Sequence, residues 1–419
     1  MPLPSSLRPL RYRNFALVWS GGVISNAGSW MQTVAVGAFV TAKTGQASWA
    51  GLVAAAAFLP IGLLAPIGGA LADRLDRRKF VLFANLGDAT MASILAWLGF
   101  THRAEPWNVA LVVFCSGCLV AISIPSLQAM TLDLIPREEL LAAAGLGSAQ
   151  YNLGRVFGPT LAGAVIALWG YAWAFTLNAV SFFAVVAAML LLRITHTPST
   201  DTTPLFERIR IGARAARDNA GARAAIMMIA IVALLLSPFI ALIPARAYLL
   251  TNGSTRAVGQ VTGYLTTAQG IGATIGALLI TPLAYRFGRH RMLMVNLTAL
   301  PFVLMVYANV TTRAAAILTL GLVGMIYIGI LSGANTIVQL WAPAEFRGRI
   351  LSLYLVALGA IYPIGGLIQG WVIDRIGFAK TVSGTAALML LALLTWKLRR
   401  PESLAALRDP DETAFPQPV

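Results

Sequence analysis

Two ionisable side chains stand in the middle of long apolar runs, and a charge held in an apolar medium is costly enough to mark a place where chemistry is expected. Asp88 follows Lys79 by nine residues, so on a helix rising 1.5 Å per residue it lies about 13 Å inside its run. Arg155 lies about halfway along another. Asp88 can carry a proton or hold a hydrogen bond to a neighbouring helix; Arg155 can contact an anionic or polar substrate or brace the helices around it. Uncharged polar residues are the remaining candidates for lining a cavity: Asn26, Ser29 and Thr33 in the first run, Gln150 and Asn152 beside Arg155, and Ser332, Asn335 and Gln339 in a tenth. The last three are spaced three and then four, which places them on one helical face. Hydrogen bonding between helices is the competing role for each. Other chemistries lack their residues. His102, His196 and His290 are far apart and make no metal constellation. No Gly-Lys dipeptide occurs, so a phosphate-binding Gly-Lys-Ser/Thr loop is excluded. Cys115 and Cys118 form C-x-x-C inside an apolar run with no βαβ context, which fits small packing residues better than a redox pair. Neither a metal, a cofactor nor an enzymatic activity is expected.

The elements that position these residues follow from composition. Of the 419 residues 58% are hydrophobic and 11% charged, against roughly 25% charged in a soluble domain. Twelve weakly charged runs recur, near 15–41, 49–72, 80–100, 107–134, 140–168, 172–193, 224–250, 258–284, 291–311, 314–341, 348–373 and 379–398. Each is long enough to cross a bilayer core of roughly 30 Å as a helix. Strands are excluded because a barrel alternates apolar and polar residues, which these runs do not. The fold class predicted is therefore an all-α polytopic membrane protein with twelve transmembrane helices.

A net charge of +15 invites a nucleic-acid reading, but the basic residues are sorted by side. With the N-terminus inside, only Lys43, Arg103, Arg246, Arg256, Arg313, Arg375 and Lys380 fall in outer loops. That asymmetry places both termini in the cytoplasm of a bacterial inner membrane, and no nucleic-acid partner is expected. The first apolar run exceeds the 7 to 15 residues of a signal-peptide core, so it is read as a retained helix.

The chain also repeats itself. Pro136-Arg137-Glu138 is echoed by Pro343-Ala344-Glu345, Gly158 and Gly163 by Gly365 and Gly370, and Gly170-Tyr171-Ala172 by Gly377-Phe378-Ala379, all at one offset of 207 residues. The organisation read from this is a six-helix bundle over 1–194, a cytoplasmic linker over 195–222, a second six-helix bundle over 223–400 and a cytoplasmic tail over 401–419. Arg208, Arg210, Arg214 and Arg217 make the linker basic, compatible with an amphipathic helix on an anionic leaflet or with a solvated loop.

Between the second and third runs stands Gly69-Ala70-Leu71-Ala72-Asp73-Arg74-Leu75-Asp76-Arg77-Arg78-Lys79, which resembles the signature loop of the major facilitator superfamily. The resemblance extends over residues 10–400 in helix count, loop placement and duplication, and implies two pseudo-symmetric bundles. It implies a conformational latch made by Gly69, Asp73, Arg74, Arg77, Arg78 and Asp133 with Glu345 and Arg347 at the start of the eleventh helix. Physically, Gly69 permits close backbone approach, and Asp73 can sit at the positive end of another helix. Asp76 replaces the family's usual glycine and is expected to take the left-handed turn that aspartate tolerates. The matching loop of the second half has Tyr285 in place of Asp73, so a second latch looks degenerate.

A second resemblance lies in Gly154-Arg155-Val156-Phe157-Gly158-Pro159-Thr160-Leu161-Ala162-Gly163, similar to the Gly-Pro signature of the superfamily's drug-exporting antiporters; bare helix packing is the alternative. The opening Arg13-Asn14-Phe15 and the run Ile24 to Thr33 are similar to the branch of enterobactin exporters and macrolide efflux proteins. Together these imply a monomeric secondary transporter that exports an amphipathic small molecule by alternating access, with protons as the coupling ion. A polar-nutrient importer or a lipid translocase on the same fold is the competing expectation.

Overall fold

A computed structural model describes residues 4–192, 214–342 and 346–407, and every regular element among them is helical. In chain order these are α1 (Arg13–Thr44), α2 (Ala47–Arg74), α3 (Arg77–Phe100), α4 (Pro106–Asp133), α5 (Leu140–Trp169), α6 (Tyr171–Leu191), α7 (Ala220–Leu235), α8 (Ile243–Leu250), α9 (Thr255–Phe287), α10 (Arg289–Asn309), α11 (Arg313–Trp341), α12 (Arg347–Val356), α13 (Tyr362–Ile376), α14 (Phe378–Arg399) and α15 (Pro401–Ala405). Two compact units are distinguished: Met1–Thr202 with Ala241–Thr267, and Thr203–Ile240 with Ala268–Val419.

Local chemistry sets the helix ends. α1 stops at Gly45, whose φ of 70° closes the last turn in the left-handed conformation that glycine adopts at no steric cost. The Asp76 carboxylate caps α3 by accepting from the Lys79 N–H. α4 opens with Pro106 and a reciprocal pair in which the Glu105 N–H donates to the Asn108 Oδ1 at 2.8 Å. The repeat is visible in the backbone too: Gly170 between α5 and α6 has φ 91°, and Gly377 between α13 and α14 has φ 90°.

In the first unit α1 lies against α5 and α6, α2 against α4, and α3 against both α4 and α6. Phe15, Val81, Met130, Val185 and Met189 belong to an apolar cluster in its core. In the second unit α11 packs on α10 and α7, and α10 packs on α14. Among the described residues ten spans are long and apolar enough to cross a membrane. α1 and α5, at 32 and 30 residues, are long enough by rise alone, but Asn26, Ser29, Gln32, Gln150, Asn152 and Arg155 make them more polar than the ten. The outer surfaces are apolar, with Leu278 and Leu318 both 74% exposed, whereas Asn178 and Ser126 are fully buried. Such a surface is stable in lipid and a liability in water.

Two runs expected as unbroken helices are interrupted. The run 224–250 breaks after Leu235, passing through a 3-10 turn at Ser237–Phe239 before α8. Pro238 has no N–H to give the Leu234 carbonyl, and the Gln369 side chain supplies the missing donor. Its Nε2 donates to the carbonyls of Leu234 and Leu235, each at 3.0 Å, while Ser237 Oγ and Tyr327 Oη share a hydrogen bond of 2.8 Å. The run 348–373 is interrupted by a π-turn at Ala357–Ile361 between α12 and α13. Gln369→Leu is therefore expected to cost about 2 kcal/mol or more by stranding buried carbonyls, read as a lowered Tm of the detergent-solubilised protein; an unchanged Tm would mean that other donors serve the break.

Candidate functional site

The loop from α2 to α3 is organised by its basic residues. Arg77 Nη1 pairs with the Asp133 carboxylate at 2.7 Å and its Nε donates to the Ala72 carbonyl at 3.1 Å, tying the start of α3 to the ends of α2 and α4. Arg78 covers the end of α6, donating to the carbonyls of Met189 at 2.6 Å and Leu190 at 3.0 Å, where a cation meets the negative helix terminus. Asp76 departs from the expected left-handed turn: its φ is −61°, and it works as a helix cap. Gly69 differs as well. Among the described residues no atom lies within 4 Å of a Cβ built on it, and the close approach is made by Gly68, 2.5 Å by the same construction from the Ile122 carbonyl oxygen. Glu345 lies outside the described residues, as do the side chains of Asp73, Arg74 and Arg347.

The Gly-Pro stretch of α5 is built around contacts with α1 and the first half of α9. Gly154 leaves room for Asn26, whose Nδ2 donates to the Gln150 carbonyl at 2.9 Å. Asn26 is thus engaged with the α5 backbone instead of lining open space. One turn on, Gly158 lies under Trp30 and the Ala27 carbonyl, and Trp30 meets the edge of Tyr151 at 5.8 Å between ring centroids. Gly163 faces Gly263 of α9, and Thr160 and Thr267 share a hydrogen bond of 3.0 Å. Pro159 removes the N–H that would otherwise bind the Arg155 carbonyl. Arg155 itself is 8% exposed, and among the described residues no hydrogen bond or ion pair is recorded for its side chain. Thr33 and Asn152 each bond within their own helix, the Thr33 hydroxyl donating to the Ser29 carbonyl and the Asn152 amide to the Ser148 carbonyl, both at 2.9 Å. The Gln150 amide sits against Gly22.

Asp88 is buried on α3, 4% exposed, and is the only buried acidic residue among those described. The Ser116 hydroxyl of α4 donates to its Oδ1 at 2.6 Å, so the hydrogen bond to a neighbouring helix is present. In the second unit Ser332 and Asn335 line an open pocket of ≈ 380 Å³ with Leu331, Thr336 and Tyr354. Gln339 is hydrogen-bonded to Asn335. Tyr354 Oη donates to the Leu331 carbonyl at 2.9 Å, and the π-turn follows Tyr354 by three residues.

Sequence reasoning passed over Gln369, Asn178, Ser237 and Tyr354. Gln369 was findable, since a lone amide inside an apolar run must meet a polar partner, and Pro238 marks the run that would need it. Asn178 donates to Gln32 at 2.8 Å and left no such clue, because nothing in spacing tells which helix α6 will face.

Membrane-length helices with apolar exteriors and polar residues turned inward define a polytopic membrane protein. The structure of the nucleoside transporter NupG superposes with a TM-score of 0.73, covering 92% of this chain and 98% of that one at 14% identity. A family model described as transmembrane secretion effector matches residues 4–419, and the chain belongs to that family of the major facilitator superfamily. Macrolide efflux protein A of Streptococcus pyogenes is 25% identical over 384 residues, spanning 88% of this chain and 92% of its own length. Multidrug efflux pump Tap of Mycolicibacterium fortuitum is 24% identical, with 90% and 93% covered.

Proposed function

We propose that this protein exports amphipathic small molecules across the bacterial cytoplasmic membrane in exchange for protons, as a monomer with both termini inside, by alternating access of two bundles spanning 1–194 and 223–400. The observation that carries the reading is similarity over nearly the whole chain to proteins named for macrolide and multidrug efflux. The antiporter-like stretch from Gly154 to Gly163, tightly fitted to α1 and α9, supports it, and the distribution of Lys and Arg supports the orientation. Arg77 and Asp133 form the structured part of the latch, to which Gly69, Asp73, Arg74, Arg78, Glu345 and Arg347 belong in this reading. Asp88 carries the coupled proton.

Everted membrane vesicles from cells with and without the gene test the direction. Erythromycin and ethidium are the probes, and an imposed proton gradient, acid inside, is expected to drive their accumulation only where the protein is present. Accumulation that survives collapse of the gradient removes the antiport, and loss of preloaded probe on imposing the gradient reverses the direction.

A further inference from the structure

We propose that Arg155 is the receptor for an anionic group, a carboxylate or its equivalent, on the transported molecule. The inference rests on the reading of this protein as a small-molecule transporter and deepens it by adding amphipathic anions to the molecules it takes; erythromycin and ethidium, which carry no anionic group, report on the transport reading alone.

Arg155 stands 15 residues from the start of α5 and 14 from its end, near the middle of the bilayer, where related folds hold their substrates. Guanidinium is ionised under all ordinary conditions and cannot escape burial by losing its proton. A buried charge is therefore paired in nearly every folded protein. Among the described residues nothing offers itself: Asp88, the one buried acid described, is held by Ser116 between α3 and α4. The neighbours of Arg155 on its own helix are neutral, with Tyr151 and Asn152 one turn before it and Pro159 one turn after.

The other anions are no easier to supply. Lipid headgroups lie at the edges of a hydrocarbon layer roughly 30 Å thick, and α5 carries Arg155 some 20 Å from either of its ends at 1.5 Å per residue, beyond the reach of one side chain. What remains is an anion that enters through the protein. The forked N–H groups of arginine fit the two oxygens of a carboxylate. The repeat sharpens this, because the residue 207 positions later is Tyr362, and a charge required only to brace the bundle gains nothing from being in one copy alone. Asn26 is spent on the α5 backbone, so the cation and not the amide is the free polar group on this part of the α1–α5 pair.

The test uses the purified full-length protein in non-ionic detergent and a zwitterionic buffer of low ionic strength, with 1-naphthylacetate and 1-naphthylacetamide, which differ in charge and little in shape. Wild type is expected to bind the acid about tenfold more tightly than the amide, the advantage of a charge-assisted pair over a neutral one. Arg155→Gln should bring the two affinities together while leaving the amide's unchanged. Should the glutamine variant fail to accumulate, Arg155→Lys carries the test: it keeps the charge, loses the fork, and must lower the preference for the acid. Equal affinities in wild type, no binding of the acid, or an undiminished preference in either variant overturns the assignment. So does a preference abolished by chloride or by added phosphatidylglycerol, since the occupant is then an inorganic anion or a headgroup. No gradient enters this measurement, so vesicles that import would refute export without touching it, and exporting vesicles would not rescue it.

Discussion

Gly158→Leu is expected to leave several-fold less folded protein in the membrane. A Cβ at this position would stand 2.5 Å from the Trp30 Cβ, 2.7 Å from the Ala27 carbonyl oxygen and 3.0 Å from the Met31 nitrogen. Two of those atoms are α1 backbone, which cannot swing aside as a side chain does, so α5 would have to move as a body. That motion pulls the Gln150 carbonyl from Asn26 and parts Tyr151 from Trp30. Overfilling a packed contact costs about 1–3 kcal/mol when side chains can yield, and a backbone clash lies at or above the upper end of that range. Against a total stability of about 5–15 kcal/mol such a loss leaves the native state favoured, but it raises the unfolded fraction that cellular proteases remove and so lowers abundance several-fold. Gly147→Leu on the same helix is the control, because no atom lies within 4 Å of a Cβ there. Size-exclusion profiles of fluorescent-protein fusions should show the native peak of the Gly158 variant down several-fold, with the Gly147 variant near wild type. A native peak of ordinary height for Gly158→Leu would mean that α1 and α5 separate without penalty.

Asp88→Asn is expected to abolish gradient-driven export while sparing exchange of substrate across the membrane. The amide replaces the carboxyl almost atom for atom and its oxygen still accepts from Ser116, so packing between α3 and α4 is preserved; only the capacity to gain and lose a proton is removed. Counterflow of ethidium in proteoliposomes should run at the wild-type rate, and uptake against a gradient in everted vesicles should fall to background. Active transport that persists in this variant assigns Asp88 to the Ser116 hydrogen bond alone. Ser116→Ala separates the roles from the other side, since deleting the donor costs stability of order 1 kcal/mol and leaves the carboxyl free to titrate.

Much of this molecule is written in its hydropathy. Long apolar runs become helices because hydrocarbon leaves the backbone no other partners, and the 207-residue offset seen in glycines reappears as matching φ angles at Gly170 and Gly377. The identity of a polar residue's partner was much harder to read. Asn26 and Thr33 look alike on paper; one side chain reaches across to the α5 backbone and the other donates to the Ser29 carbonyl on its own helix, and only the crossing of α1 over α5 decides which. Asp76 misled because aspartate is tolerated both in left-handed turns and at helix caps, and here α3 begins at the next residue, with the Lys79 N–H within reach of the carboxylate. The breaks at Pro238 and at Ala357–Ile361 escaped detection for a related reason: both segments keep the apolar character of a continuous span while their hydrogen bonding changes underneath.

The π-turn at Ala357–Ile361 has a bearing on how the duplicated gene can be altered. Wider winding at that place uses the same number of residues to sweep a smaller angle, so positions beyond it point in a different direction from their counterparts in α5, although the alignment has no gap. Transplanting Arg155 to its partner position by Tyr362→Arg would therefore put a cation into unlike surroundings. The two copies have become separate instruments, and a change made in one cannot be read as its mirror image in the other.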